Sequence, residues 1–140
     1  MAKPADADGE EVASGCLYRL VPNWATHWDY ERGLPEPRAF RGDGDIGVSV
    51  LIKERISVDA IFRIKPRLKD FAVCELVIEE LLQDRDVWVK LDPDDDWGEA
   101  REAHALIMGI TKRRIDWLRE LGIKLIVKTP GPAKPPNPPE

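Results

Sequence analysis

The sequence predicts an α+β fold: one domain with a mixed or mostly antiparallel sheet of about five strands and two to three short helices. Three observations lead there. Most apolar runs are five to eight residues long, rich in Val and Ile, and closed by Pro or Gly, as strands are. Only two stretches carry apolar residues at helical spacing. The composition, 43% hydrophobic and 34% charged, is that of a globular chain and excludes fibrous or wholly disordered classes.

Residues 1–14 lack aromatic residues and any apolar period, so they cannot offset the entropy of ordering; a disordered acidic tail is expected. Residues 130–140 hold six of the twelve prolines and are expected to form a second disordered tail that joins no sheet. The domain proper is residues 15–129, long enough for one core.

Cys16 to Val21 alternates and stops at Pro22, which makes it the first strand and sets Arg19 between Leu17 and Val21 on one face. Residues 23–47 hold Trp24, Trp28, Tyr30 and Phe40 among glycines and prolines, without a period. Rings of that size gain most by covering apolar surface, so this long loop is expected to fold down as a flap.

Gly47 to Ile52 is a β-branched strand. Ser57 is placed to cap a short helix that carries Val58, Ile61, Phe62 and Lys65 and ends at Pro66. Residues 71–78, the longest apolar run, read as a central strand interrupted only by Glu75. Residues 79–86 form a short helical or turning piece, and Val87 to Leu91 another strand closed by Pro93. Ala103 to Ile110 fits a strand that groups His104, Leu106, Met108 and Ile110 or a helix that groups Ala100, Ala103 and Ile107, and the strand, from about Ala105, is preferred. Thr111 then starts a helix with Ile115, Leu118 and Leu121 inward and Gly122 as its C′ residue, and 123–128 is the last strand.

A net charge of −5 argues against a surface dedicated to nucleic-acid phosphates. The charge is nevertheless segregated: residues 1–14 sum to −3 and residues 53–69 to +4, so an anionic partner could meet the middle of the chain. Cys16 and Cys74 sit in apolar stretches and read as reduced core thiols. No run approaches the roughly 18 apolar residues that span a bilayer, and no early apolar signal core follows Met1, which points to a cytoplasmic protein with no membrane contact.

Motifs are sparse. Asp92, Asp94 and Asp96 occupy the first, third and fifth places of a calcium-loop pattern, but Trp97 and Ala103 stand where it needs Gly and a bidentate acid. The two His and two Cys are too scattered for a zinc site. Gly42-Asp43-Gly44-Asp45-Ile46-Gly47 matches a dinucleotide fingerprint letter by letter, yet it precedes a strand instead of following one. The sequence therefore calls for no metal and no cofactor. Lys112, Arg113, Arg114 and Arg119, with Trp117, could dock on phosphates, although Asp116 and Glu120 make ordinary surface pairing the better account.

Arg19, Ser49, Glu75 and His104 stand out as polar side chains inserted in apolar strands. Arg19 and Glu75 could satisfy one another. Alternatively, Arg19 binds an anion, Ser49 orients it, and His104 or Glu75 moves protons. Two functions follow. The first is a non-enzymatic protein-interaction module that reads a protein partner through Trp24, Trp28, Tyr30 and Phe40, tryptophan being enriched at binding hot spots. The second is a small nucleotide- or RNA-directed enzyme or toxin with Arg19, Ser49 and His104 as catalytic residues. A protein partner ranks ahead of nucleic acid.

Leu17-Tyr18-Arg19, Ala39-Phe40, Val48-Ser49-Val50, Asp92-Pro93 and His104-Ala105-Leu106-Ile107, in that order, resemble a recurring pattern of small bacterial proteins of unassigned activity. The resemblance implies bacterial origin, a shared fold, and interest in Arg19, Phe40, Ser49 and His104. The resemblance implies no known activity; a toxin–antitoxin or defence locus is the setting expected for the protein-interaction module, on its loop tryptophans and two tails. A fainter likeness to small ADP-ribosyl-transferring toxin domains rests on an early Arg strand and a Gly-rich turn, and no catalytic Glu or Tyr series completes it.

Overall fold

The structure, a computed structural model, describes residues 10–42 and 47–131. Its main sheet is built from β1 (Cys16–Val21), β4 (Val48–Ile52), β5 (Ala72–Val77), β6 (Trp88–Leu91), β7 (His104–Met108) and β8 (Ile126–Lys128). The six strands lie in the order β6-β7-β4-β1-β5-β8, and every pairing is antiparallel. Two strands of the flap, β2 (Trp28–Asp29) and β3 (Leu34–Pro35), make a separate small hairpin. Three short helices complete the α+β arrangement: α1 (Val58–Ile64), α2 (Ile78–Leu81) and α3 (Ile115–Ile123).

Period-2 alternation gives the sheet two apolar faces, because successive side chains of a strand point to opposite sides. On the first face Leu17, Val21, Val50, Cys74 and Ile107 are buried beneath α3 and the flap, with Phe40 and Leu118 in the same cluster. On the second, Tyr18, Leu51 and Val73 are covered by Ile61 of α1 and by Trp97. The run at β5 is interior but not central, since β8 is its outer neighbour.

The caps follow local chemistry. Ser57 Oγ accepts from Ala60 N–H at 3.1 Å and starts α1 as expected. Gly122, expected just beyond the last helix, lies within α3 and is buried. The reason is steric: a methyl there would stand 2.5 Å from Phe40 Cζ, so the ring of the flap rests directly on the helix backbone.

Trp28 and Phe40, 2% and 0% exposed, are core residues and offer a partner no surface. Trp24 stacks edge-on to His27 and Phe71, and the Tyr30 hydroxyl donates to Asn23 Oδ1. The flap is thus a cover of the first face, its rings packed on the core and on Phe71.

At the N-terminal side, residues 1–9 lie outside the described residues. Glu10 to Val12 of the expected tail run along β6: Leu91 N–H donates to Glu10 O, Val12 N–H donates to Val89 O at 2.8 Å, and Glu11 bridges Lys90. Backbone pairing at an open sheet edge, with the Val12 side chain packed against the core, holds these residues in place. In the proline-rich segment, Gly131 N–H donates to Asp70 O and residues 132–140 lie outside the described residues. Positions 43–46 of the glycine run do too.

Candidate functional site

The register of β4 and β7 pairs Ser49 with Leu106 and Leu51 with His104, which places Ser49 and His104 diagonally on the second face. Their side chains meet: Ser49 Oγ lies 2.5 Å from His104 Nε2. The other ring nitrogen, Nδ1, is 2.7 Å from the backbone carbonyl of Asp92 and 3.3 Å from its carboxylate Oδ2. A carbonyl oxygen only accepts, so Nδ1 carries the proton and Nε2 of the neutral ring is left to accept the serine O–H. His104 is 7% exposed, whereas Ser49 is exposed and Asp92 half-buried.

The loop between Asp92 and His104 is built to hold this contact. Asp92 N–H donates to His104 O at 2.9 Å, closing its base. The Asp94 side chain accepts from Asp96 N–H and opens a 3₁₀ run, Asp95–Ala103, that kinks at Gly98 (φ 54°), a conformation that favours glycine. Trp97 is buried with the Lys65 ammonium 4.1 Å from its ring centroid, and Arg55 donates to Glu102 O. The acidic stretch therefore spends its carboxylates on turn and ion-pair chemistry, including an Arg101 to Asp95 bond of 2.6 Å. Among the described residues no group of three His, Cys, Asp or Glu is arranged to hold a metal ion.

Arg19 does not join Ser49 and His104 through side chains. It projects from the first face, where Nε donates to Ala39 O at 2.8 Å and Nη1 to the backbone carbonyl of Ser49 at 2.7 Å. It ties the flap to β4 directly behind the serine. Nor does it pair with Glu75, which is Tyr18's partner in the register and so lies on the opposite face. Glu75, 8% exposed, takes Lys53 Nζ at 3.0 Å, and that bond holds the lysine ammonium above its ordinary range.

Several other basic groups are similarly engaged. Arg114 grips Asp84 and Asp86, Arg119 donates to Pro35 O, and Arg63 pairs with Glu99. Asp84 is held below the usual carboxylate range by its hydrogen bond from Arg114, seconded by the Asp86 N–H. Two open grooves, of about 490 and 370 Å³, are lined by Gln83, Arg114 and Trp117 and by Lys65, Arg67 and Asp96 respectively, and neither includes Ser49.

Of the residues singled out in the sequence, Ser49 and His104 come together, Arg19 supports them from behind, and the four aromatic residues belong to the flap. Asp92 completes the chain of contacts, and the sequence marked it only as part of an Asp-Pro pair and as the first place of a calcium pattern. Among the described residues no helix is long and apolar enough to cross a membrane. No family model, no curated protein and no solved structure matches this chain.

Proposed function

We propose that the protein is a small hydrolase in which Ser49 is the nucleophile, His104 the general base and Asp92 the group that orients the imidazole. One observation supports this reading above others: the continuous contact from Ser49 Oγ through His104 to Asp92, in which the serine hydroxyl meets the bare ring nitrogen. Such constellations are recognised by geometry and role, not by sequence order.

Ser49 Oγ attacks the acyl carbon of an ester as its proton passes to Nε2. The ester C–O bond breaks, and the alcohol leaves with that proton. Water then attacks the acyl-serine, giving its proton to Nε2; the acid departs as Ser49 regains the proton. During both steps the Asp92 carbonyl keeps Nδ1–H in place, and its carboxylate stabilises the transient imidazolium.

The test is labelling with a fluorophosphonate, read by peptide mass spectrometry. The expected result is a stoichiometric adduct on Ser49, none in Ser49→Ala, and a rate about 10²- to 10⁴-fold lower in His104→Gln of unchanged circular dichroism. A folded wild-type protein that stays unlabelled overturns the reading.

A second reading, recognition of a protein partner without chemistry, is favoured by Leu125 and Val127. These large apolar residues, 45% and 40% exposed, lie in and just before the edge strand β8. Its test is capture of a host protein that is lost in a Leu125→Lys, Val127→Lys double variant of native fold.

A further inference from the structure

The strand register places a cation in the same row as the serine, two strands away. Leu106 of β7 is the partner of Ser49 on one side and of Lys90 on the other, so Lys90, Leu106 and Ser49 form one row across the second face. Two strand spacings of about 4.8 Å separate the Lys90 and Ser49 backbones, and a lysine stem of roughly 6 Å reaches most of that way. Among the described residues no hydrogen bond or ion pair occupies the Lys90 ammonium; Glu11 lies across the bridge on its outer side. One row further, Trp88 pairs with Met108 on the same face, and its buried indole N–H has no hydrogen-bond partner among the described residues. A buried donor left unpaired is costly, and a ligand oxygen would relieve it.

We propose that the Ser49 site takes anionic esters, with the Lys90 ammonium binding a carboxylate on the acyl side of the substrate and the Trp88 indole N–H donating to the same end. The inference rests on the reading of Ser49 as a nucleophile and specifies its substrate class. A positive pole about one side-chain length from the nucleophile selects acyl chains whose charge is a few bonds from the carbonyl carbon, as in a succinyl ester.

The experiment compares hydrolysis of p-nitrophenyl acetate and mono-p-nitrophenyl succinate by wild type, Lys90→Met, Lys90→Arg and Ser49→Ala. The expected result is a succinate-over-acetate preference in kcat/KM that falls about tenfold in Lys90→Met, survives in Lys90→Arg, and weakens with added salt. Serine-dependent turnover with the same preference in wild type and Lys90→Met overturns the anion site alone. Absence of Ser49-dependent turnover of either ester overturns both this inference and the hydrolase reading beneath it.

Discussion

Ser49 and His104, 55 residues apart in sequence, meet at 2.5 Å because their strands are adjacent and antiparallel with the two residues offset diagonally. The bond that fixes the imidazole comes from a backbone carbonyl, that of Asp92, and so does not depend on the protonation of any acid. The tautomer follows. Nitrogen-15 chemical shifts of the His104 ring at neutral pH are expected to show Nδ1 protonated and Nε2 bare. A protonated Nε2 would make Ser49 the acceptor and remove the base.

The contact between Phe40 and Gly122 carries a steric prediction. Gly122→Ala puts a methyl against the ring at 2.5 Å and is expected to cost about 1–3 kcal/mol in denaturant unfolding, because the ring is fully buried and has nowhere to move. Combining it with Phe40→Leu should recover part of that loss, giving a coupling energy outside error. Strict additivity would separate the two positions.

Acid should weaken the α3 end of the molecule first. The folded pKa of Asp84 lies below its ordinary 3.8, so its bond to Arg114 adds stability that is present above that pH and fades as pH drops through the lower folded value. The difference in melting temperature between wild type and Asp84→Asn is therefore expected to be constant at neutral pH and to close below about pH 4. A difference independent of pH would refute the assignment.

Thiol chemistry gives a further check. Burial pushes the Cys74 thiol up to about 12, so it is protonated at any physiological pH. Burial also raises Cys16, with Glu75 adding to the shift. Iodoacetamide at pH 8 should leave Cys74 untouched until the protein unfolds; modification in the native state would show that the core opens far more readily than its packing implies.

Much of this fold is legible in the sequence. Strands β1, β4, β5, β6 and β7 declare themselves by short apolar runs between breakers, and Ser57 marks α1 because capping is local chemistry. The flap is not legible in the same way. Its rings sit at positions without a period, and only the folded chain reveals that Trp28 and Phe40 complete the core while Trp24 packs on His27 and Phe71 and Tyr30 bonds to Asn23. Gly122 illustrates the same limit: glycine near a helix end reads as a cap, whereas here a distant ring requires it.

The site divides along similar lines. Ser49 and His104 are conspicuous as polar residues in apolar strands, but their meeting depends on a register that spacing in sequence does not encode. Arg19 is equally conspicuous and lies on the other face, since one residue along a strand reverses the side. Asp92 acts largely through its main chain, and no residue type advertises that.

The pairing of Glu10 to Val12 with β6 has a practical corollary. Trimming the first dozen residues would bare the Leu91 amide and the Val89 carbonyl on either side of Lys90, the first of them next to Asp92. A shortened form would gain a sticky flank and slacken the hold on its imidazole at once. Self-association and, on the hydrolase reading proposed above, loss of turnover should therefore appear together.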